Sequence, residues 1–255
     1  TVFNTSGLTY PWQLEDLGVE FGVDSGSIFN IDPGLTVGIA TNFTNLAEVN
    51  TTALIEISSP PDWEVSWDYA TSPEVGYSFD APSDIVQWIE FRVTAPEVSV
   101  GYPLAGSIHD FSVALIGDHT GNQDWWNFSL RYGEAKGMQI IEGGGTASID
   151  PGGVVDLEFD LQNIGNSINS LGINIAPVYE NGSPIQTPSL SFAYDGWTAI
   201  VYDRAGLENM NPGEITTVRM QVQSPILTSG RLNMMIQFWA DGVEEIQKIN
   251  QSISI

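Results

Sequence analysis

The run Val155-Asp156-Leu157-Glu158-Phe159-Asp160-Leu161-Gln162 alternates apolar and polar side chains without interruption. Successive side chains of a β-strand point to opposite faces, so this pattern predicts a strand with one buried face. The same alternation recurs at 89–94, 111–115, 218–223 and 232–238. No convincing stretch of helical period is longer than two turns. We therefore predict an all-β chain.

This strand belongs to an internal repeat. Ile149-Asp150-Pro151-Gly152 follows Ile31-Asp32-Pro33-Gly34 at an offset of 118, and the alignment runs without a gap to Ile57 and Ile175, matching Asn45 with Asn163. A period near 120 residues is typical of whole domains in tandem. Short strands joined by Pro-Gly turns favour β-sandwiches. We predict one domain at 18–136 and a second at 137–255.

Residues 1–17 are left over by this division. A short motif recurs every 123 residues, as Asn4-Thr5-Ser6, Asn127-Phe128-Ser129 and Asn250-Gln251-Ser252, each in apolar surroundings. Because the second and third copies should lie in the last strand of each domain, the first predicts an extra N-terminal strand. Three explanations stay open: a window cut from a longer array, a strand that pairs with a neighbouring copy, or an additional edge strand on the first domain. The side chains that define this candidate assembly strand are Val2, Phe3, Leu8 and Tyr10, and Ile246–Ile255 is its equivalent at the other end.

The composition excludes several classes of protein. Seven basic residues against 32 acidic ones give a formal charge of −25, which repels nucleic-acid phosphates. There is no cysteine, so neither disulfides nor thiolate metal sites are expected. The sequence contains no apolar run typical of a signal peptide or a membrane span. A solvated acidic surface is the simplest interpretation of the charge.

Both repeats carry the same order of landmarks: an asparagine, an apolar strand, a tryptophan, a turn, and a strand that ends before proline. The residues are Asn45, Leu54–Ile57, Trp63, Pro82-Ser83-Asp84, Ile89–Val93 and Pro96 in the first, and Asn163, Ile173–Ile175, Trp197, Asn211-Pro212-Gly213-Glu214, Val218–Val222 and Pro225 in the second. This order resembles the immunoglobulin-like β-sandwiches of archaeal and bacterial surface proteins, namely the alpha-galactosidase-associated Ig-like family and the CARDB (cell-adhesion-related) family. The resemblance implies extracellular spacer, adhesion or assembly modules and brings no catalytic residues. The first repeat departs from the pattern by having Pro82-Ser83-Asp84 where a Pro-Gly-Glu turn is expected, which leaves the turn type open.

Asn-x-Ser/Thr sequons are the clearest chemical signal. Such a sequon marks an acceptor for N-glycosylation in an exported protein. Six occur, at Asn4, Asn42, Asn50, Asn127, Asn181 and Asn250. The alternative is that asparagine and serine are simply common in turns and on polar strand faces.

The candidates for metal binding and catalysis are weaker. Asp118, Asn122 and Asp124 offer oxygen ligands at a spacing that calcium accepts, although turn formation explains the same residues. Glu15, Asp16, Glu20 and Asp24 form a second acidic set, which we consider for a cation at a domain junction. His109 and His119 have no serine elbow or cysteine nucleophile beside them. The segment Glu142–Thr146 does not open a helix, so we interpret it as an inter-domain hinge or loop rather than a phosphate loop.

Together these features predict a non-enzymatic extracellular protein without a required cofactor. Tandem sandwiches would pair edge strands with further copies or with neighbouring domains of the same array, forming a filament, stalk or surface layer (S-layer). The alternative is a carbohydrate- or protein-binding accessory module of a larger secreted enzyme, with exposed aromatics such as Trp67, Trp125 or Trp126 as a sugar platform.

Overall fold

A computed structural model describes residues 18–22, 25–67, 77–117, 122–226 and 229–255. The described residues form two compact units. The first contains the residues up to Glu97 together with Gly106–Gly133, and the second contains Val98–Ala105 together with Glu134–Ile255. The N-terminal extra strand predicted within 1–17 lies outside the described residues.

Nine strands build the first unit: β1 (Val19–Phe21), β2 (Ser27–Ile31), β3 (Thr36–Asn45), β4 (Thr51–Ser58), β5 (Glu64–Trp67), β6 (Tyr77–Ala81), β7 (Val86–Thr94), β8 (Ile108–Gly117) and β9 (Gln123–Tyr132). One sheet has the order β1-β3-β7-β5 and the other β2-β9-β8-β4-β6. Their inner faces meet in an aromatic core, where Phe111 stacks on Phe128 with ring centroids 4.9 Å apart. Phe91 of the first sheet contacts Phe128 of the second at 5.8 Å.

The second unit repeats this plan with β10 (Met138–Gly143), β11 (Thr146–Ser148), β12 (Val154–Asn163), β13 (Leu171–Pro177), β14 (Ser191–Tyr194), β15 (Trp197–Asp203), β16 (Ile215–Gln223), β17 (Arg231–Ala240) and β18 (Gln247–Ser254). Its sheets have the orders β10-β12-β16-β15-β14 and β11-β18-β17-β13. A 3-10 turn, Ala205–Leu207, precedes β16. One core contains Phe159 and Met220 from the first sheet and Ile175 and Phe238 from the second.

Both units have the strand order of an immunoglobulin-like sandwich. In each unit the first strand pairs antiparallel with the third, and the second strand pairs parallel with the last strand, in the opposite sheet. In each unit, the sheet that contains the first strand corresponds to the A-B-E-D sheet of immunoglobulin domains, and the other sheet corresponds to the G-F-C sheet. The prediction of an all-β chain with tandem immunoglobulin-like sandwiches is therefore confirmed.

The connection between β7 and β8 spans 95–107, whereas 224–230 join the equivalent strands of the second unit. The longer connection contains Val98–Ala105, the segment that packs as part of the second unit. There the side chain of Asn166, which is buried, donates to the Pro103 carbonyl at 3.0 Å. The Ala105 N–H donates to the Asn166 carbonyl at 3.0 Å. Sequence periodicity gave no sign of this arrangement.

Candidate functional site

The first strand of the second unit covers only part of its neighbour. β10 pairs with β12 over Phe159–Asn163, whereas β16 pairs with β12 from Val154 onward. No described strand pairs with the other edge of Val154–Glu158. The second unit therefore has an open sheet edge of five residues, and an open edge is a template for pairing with another chain.

The sequence around the glycines explains why β10 leaves the edge. A bulge lies between Ile140 and Glu142. Gly143, Gly144 and Gly145 follow with φ of 133°, 87° and 123°, values that other residues rarely adopt. A Cβ on Gly143 would overlap the Phe159 ring. This segment carries the chain to β11 inside the second unit, so the prediction of an inter-domain hinge at Glu142–Thr146 is wrong. The alternative interpretation as a loop holds only for Gly144 and Gly145, because Glu142 and Gly143 end β10 and Thr146 begins β11.

The main-chain groups of β12 alternate in direction. The Asn163 N–H donates to Glu214, and its carbonyl accepts from Gly213, whereas the Ile164 N–H donates toward β10 at Gly137. Because successive residues of a strand direct these groups to opposite sides, the even-numbered residues face β10. The N–H and C=O of Asp156 therefore face the open edge.

A groove of about 680 Å³ runs along this edge. Its lining consists of Glu142, Gly143, Gly144, Asp156, Leu157, Glu158 and Asp160. It combines main chain that faces outward with carboxylates on the outer face of the sheet. This geometry suits an added strand whose side chains carry no negative charge.

Three of the four carboxylates already have partners across the sheet. Asp156 accepts from Gln221 at 3.1 Å, Glu158 from Arg219 at 2.8 Å, and Asp160 accepts from Thr217 at 2.6 Å. The hydrogen bonds to Glu158 and Asp203 raise the pKa of Arg219 above its usual value. Because these bonds hold the side chains on the outer face, the edge itself is left to the main chain.

The first unit shows the same plan less completely. β1 pairs with Phe43–Asn45 of β3, and the Gly22 N–H donates to the Asn42 carbonyl at 2.9 Å. Residues 23 and 24, which follow, lie outside the described residues. The candidate site is therefore the edge of β12. The predicted assembly strand, defined by Val2, Phe3, Leu8 and Tyr10, lies outside the described part of the chain. Its equivalent at the other end is β18, which pairs with β17 and β11.

Two of the predicted calcium ligands have structural contacts. The Asn122 side chain accepts from the Val19 N–H at 3.3 Å and donates to the Val19 carbonyl at 3.2 Å. Asp124 accepts from Phe21 at 2.7 Å and from Trp125 at 2.8 Å. Both side chains thus attach β1 to the start of β9, on the opposite sheet.

The third ligand, Asp118, lies outside the described residues, so the calcium site stays a prediction. Of the second acidic set only Glu20 is described, and it is exposed on β1. Glu15, Asp16 and Asp24 lie outside the described ranges. Within those ranges, no group of three or more acidic or histidine side chains is arranged to hold a metal ion.

The described sequons differ in exposure. Asn127 and Asn250 are exposed on the last strands of the two units. Asn50, directly before β4, and Asn181, in a turn, are also exposed. Asn42 is half-buried on β3, where a Cβ on Gly22 would overlap its side chain. Asn4 lies outside the described residues. Glycan attachment at these asparagines stays a prediction.

His109 has local contacts. Its Nε2 lies 2.9 Å from the Ser107 hydroxyl, and its ring centroid lies 5.0 Å from that of Trp63. Burial lowers the pKa of His109, and the neighbouring Asp110 partly opposes that shift. The carboxylate of Asp110 accepts from Ser129 at 2.7 Å. These contacts are those of a packed histidine at a strand start; His119 lies outside the described residues.

The proposed aromatic platform is only partly present. Trp126 is 3% exposed and stacks on Phe128 inside the core, so its assignment to a surface platform is wrong. Trp125 is 53% exposed. Trp88 on β7 is 70% exposed, and sequence reasoning missed it. Nothing is described of the Trp67 side chain. Trp88 occupies a polar position in the alternating pattern of β7, and this position could have predicted its exposure from the sequence.

No family model and no curated protein matches the chain. Similar solved structures include protocadherin gamma C5 EC1-3, at 9% identity over 94% of this chain and 68% of that chain, with a TM-score of 0.48. A chimeric titin Z1Z2 is 10% identical over 93% and 95%, with a TM-score of 0.28. A family 123 glycoside hydrolase from Clostridium perfringens is 12% identical over 44% of this chain and 22% of that chain, with a TM-score of 0.32. The immunoglobulin-like assignment rests on strand order, and the resemblance to the alpha-galactosidase-associated and CARDB families stays a prediction.

Within the part of the chain that the structure describes, no helix has the length and apolar character needed to cross a membrane.

Proposed function

We propose that this chain is an extracellular, cell-surface structural protein that associates end to end through β-strand pairing into a filament, stalk or surface layer. The open edge of β12 supports this proposal more than any other feature. Strand addition uses main-chain hydrogen bonds for affinity, and it requires an unpaired edge on one partner and an extended segment on the other. The second unit has the unpaired edge, and the sequence of residues 1–17 predicts the extended segment.

The charge of the N-terminal segment agrees with this pairing. Residues 1–14 contain no ionisable carboxylate and no basic side chain, although the chain as a whole carries a formal charge of −25. The groove contains Glu142, Asp156, Glu158 and Asp160. Because like charges on neighbouring strands destabilise a sheet, an uncharged segment is among the few parts of this chain suited to the groove.

Mixed cross-linking tests the proposal. The chain has no cysteine, so engineered thiols react only with each other. One population carries Asp156→Cys, and the other carries a single cysteine at Asn4, Thr5 or Ser6. Since side chains of a paired strand alternate between faces, we expect disulfide-linked heterodimers from alternate donor positions, not from all three equally.

The matched control places the acceptor thiol at Ala193, which is exposed on β14 at the far edge of the same sheet. Equal cross-linking at Ala193 and Asp156, or none at Asp156, would contradict the proposal. Removal of residues 1–17 should abolish association in sedimentation velocity. Persistence of the polymer in the truncated protein would also count against strand addition.

A proline substitution distinguishes the contribution of the main chain to association from that of the side chain. Asp156→Pro removes an N–H that faces the open edge and leaves the bonds of β12 to β16 in place, so it should block association. Asp156→Ala keeps the N–H and should associate normally. Thermal unfolding of both variants must show intact domains. Equal association by the two variants would mean that the edge main chain is not used.

A further inference from the structure

Two exposed tryptophans of the first unit have no role in its core. Trp88 and Trp125 are 70% and 53% exposed, whereas Trp63, Trp126 and Trp197 are buried. Singly exposed apolar side chains are normal on a protein surface, so what distinguishes these two tryptophans is their neighbours. Each of the two lies beside the asparagine of a sequon.

Trp88 lies directly across the sheet from Asn42. The Asn42 carbonyl accepts from Gly22, the residue after β1, so it faces away from β7, and Asn42 and Trp88 form a non-hydrogen-bonded pair. The Cα atoms of such pairs are about 4.5 Å apart, and their side chains are close. Of the Asn42 amide atoms, Oδ1 lies nearest to Gly22 and Nδ2 lies farther away. The nitrogen that would carry a glycan is therefore turned away from β1.

Trp125 lies two residues before Asn127 on β9. Residues i and i+2 of a strand share a face and lie about 7 Å apart, and both side chains are exposed. A pyranose ring attached to Asn127 is of the right size to span that distance. Asn127 thus has an exposed tryptophan as a neighbour, as Asn42 does. The tryptophan next to Asn127 lies on the same strand, whereas the one next to Asn42 lies on the adjacent strand.

The second unit offers an internal comparison. In the place of Asn42 and Trp88 it has Asp160 and Thr217, joined by a hydrogen bond of 2.6 Å; the sequon and the tryptophan are both absent. In the place of Trp125 it has Lys248, two residues before Asn250, and there the sequon remains. Asn250 is therefore a natural control that lacks a tryptophan two residues before it on the strand.

We propose that Trp88 and Trp125 are packing platforms for the first sugar residues of N-linked glycans on Asn42 and Asn127. The apolar C–H face of each pyranose would cover the indole ring and remove apolar surface from water. This inference rests on the extracellular location in the proposed function, but not on assembly. Attachment joins Asn Nδ2 to the anomeric carbon of a glycosyl diphosphate donor; the C–O bond to the diphosphate breaks, and the amide proton leaves to a base of the transferase.

The test begins with occupancy. The chain is made in a host that attaches N-glycans and, unmodified, in a bacterial host that does not. Glycopeptide mass spectrometry should find sugar on Asn42 and Asn127 in the first sample. An unmodified Asn42 and Asn127 would overturn the inference, while leaving the cross-linking result at Asp156 unaffected.

A double-mutant cycle then measures coupling between sugar and ring. Thr44→Val removes the sequon of Asn42 but keeps a β-branched residue, and it is combined with Trp88→Ala. In the glycosylated protein we expect Trp88→Ala to lower the Tm by about 4 °C more when the sequon is intact than when it is absent. In the unmodified protein this difference should vanish. Equal effects with and without the glycan would overturn the platform role.

The second pair is tested in the same way, with Asn127→Gln and Trp125→Ala. The control pair is Asn250→Gln with Lys248→Ala, for which no coupling is expected. Acrylamide quenching gives a direct readout: the glycan should reduce quenching of the exposed indoles, and Trp88→Phe with Trp125→Phe should remove that difference. Protection that persists in this variant would show that the sugars lie elsewhere.

Discussion

Asn45 and Asn163 occupy equivalent positions in the two units. Both are fully buried. The Asn45 amide donates to the carbonyls of Val49 and Ala81 and accepts from the Ala47 N–H. Asn163 makes the corresponding bonds in the second unit, to Ser167, Met210 and Gly165. Each amide thereby joins the turn after one strand to the segment that precedes the next strand of its sheet.

Asn163→Ala should destabilise the second unit strongly. The change removes the partners of the Ser167 carbonyl and the Gly165 N–H, whereas the Met210 carbonyl keeps the Asn169 N–H as a donor. Each polar group left without a partner costs about 1–3 kcal/mol. We expect the free energy of unfolding to fall by about 3 kcal/mol in urea denaturation. Asn174→Ala, at a half-buried position of β13, is the control and should cost less than about 1 kcal/mol. Similar losses for both variants would contradict the role of Asn163.

At the scale of elements, β13 and β17 compensate for each other in volume. Gly172 pairs with Trp239 across the two strands, and the indole ring occupies the space that a Cβ on Gly172 would take. The first unit has Leu54 and Ile116 at this place. One pair therefore joins a very small residue to a very large one, and the other joins two of medium size.

Gly172→Ala should displace the Trp239 ring and lower the free energy of unfolding by about 1–3 kcal/mol, as overpacking does. The double variant Gly172→Leu with Trp239→Ile copies the first unit and should recover most of that loss. Gly38→Ala is the control, because there a Cβ would meet only the end of the flexible Glu90 side chain, at 3.0 Å. A double variant less stable than Gly172→Ala would show that the two pairs are not interchangeable.

Periodicity predicted the elements well because burial determines them. The alignment at an offset of 118 matches β3 with β12 from first to last residue. The shared order of landmarks located a turn as well, in which the structure places Asp84 where the second unit has Gly213. Both residues have positive φ, 58° and 78°, and their N–H groups donate to the carbonyls of Asn45 and Asn163. Aspartate tolerates this conformation, so the turn is kept despite the altered motif.

The candidate site was less predictable, because it depends on where strands stop. That β10 leaves β12 at Gly143 follows from a bulge and three glycines, which sequence alone allowed us to interpret as a hinge. The exposure of Trp88 depends on which face of β7 is buried and on what covers it. The packing of Val98–Ala105 depends on tertiary contacts with Asn166, for which no local pattern exists.

At the scale of the whole molecule, the charge is poorly balanced. The 32 acidic residues outnumber the seven basic ones. Ion pairs among the described residues include Arg219 with Glu158 and Asp203, and Lys136 with Glu134 at 3.9 Å. Because seven basic residues cannot pair one to one with 32 acidic ones, negative charge dominates the molecule. Self-repulsion of such a surface destabilises the compact state.

Salt should consequently stabilise the protein. The Debye length falls from about 30 Å at 0.01 M to about 8 Å at 0.15 M ionic strength, so the Tm should rise by about 2–5 °C over that interval of NaCl if screening contributes about 1 kcal/mol. CaCl₂ at matched ionic strength provides the comparison. Simple screening predicts a similar rise, whereas a larger rise that Asp124→Asn removes would support a calcium site at Asp118, Asn122 and Asp124. An unchanged or lowered Tm in NaCl would show that repulsion between carboxylates does not limit the stability of these domains.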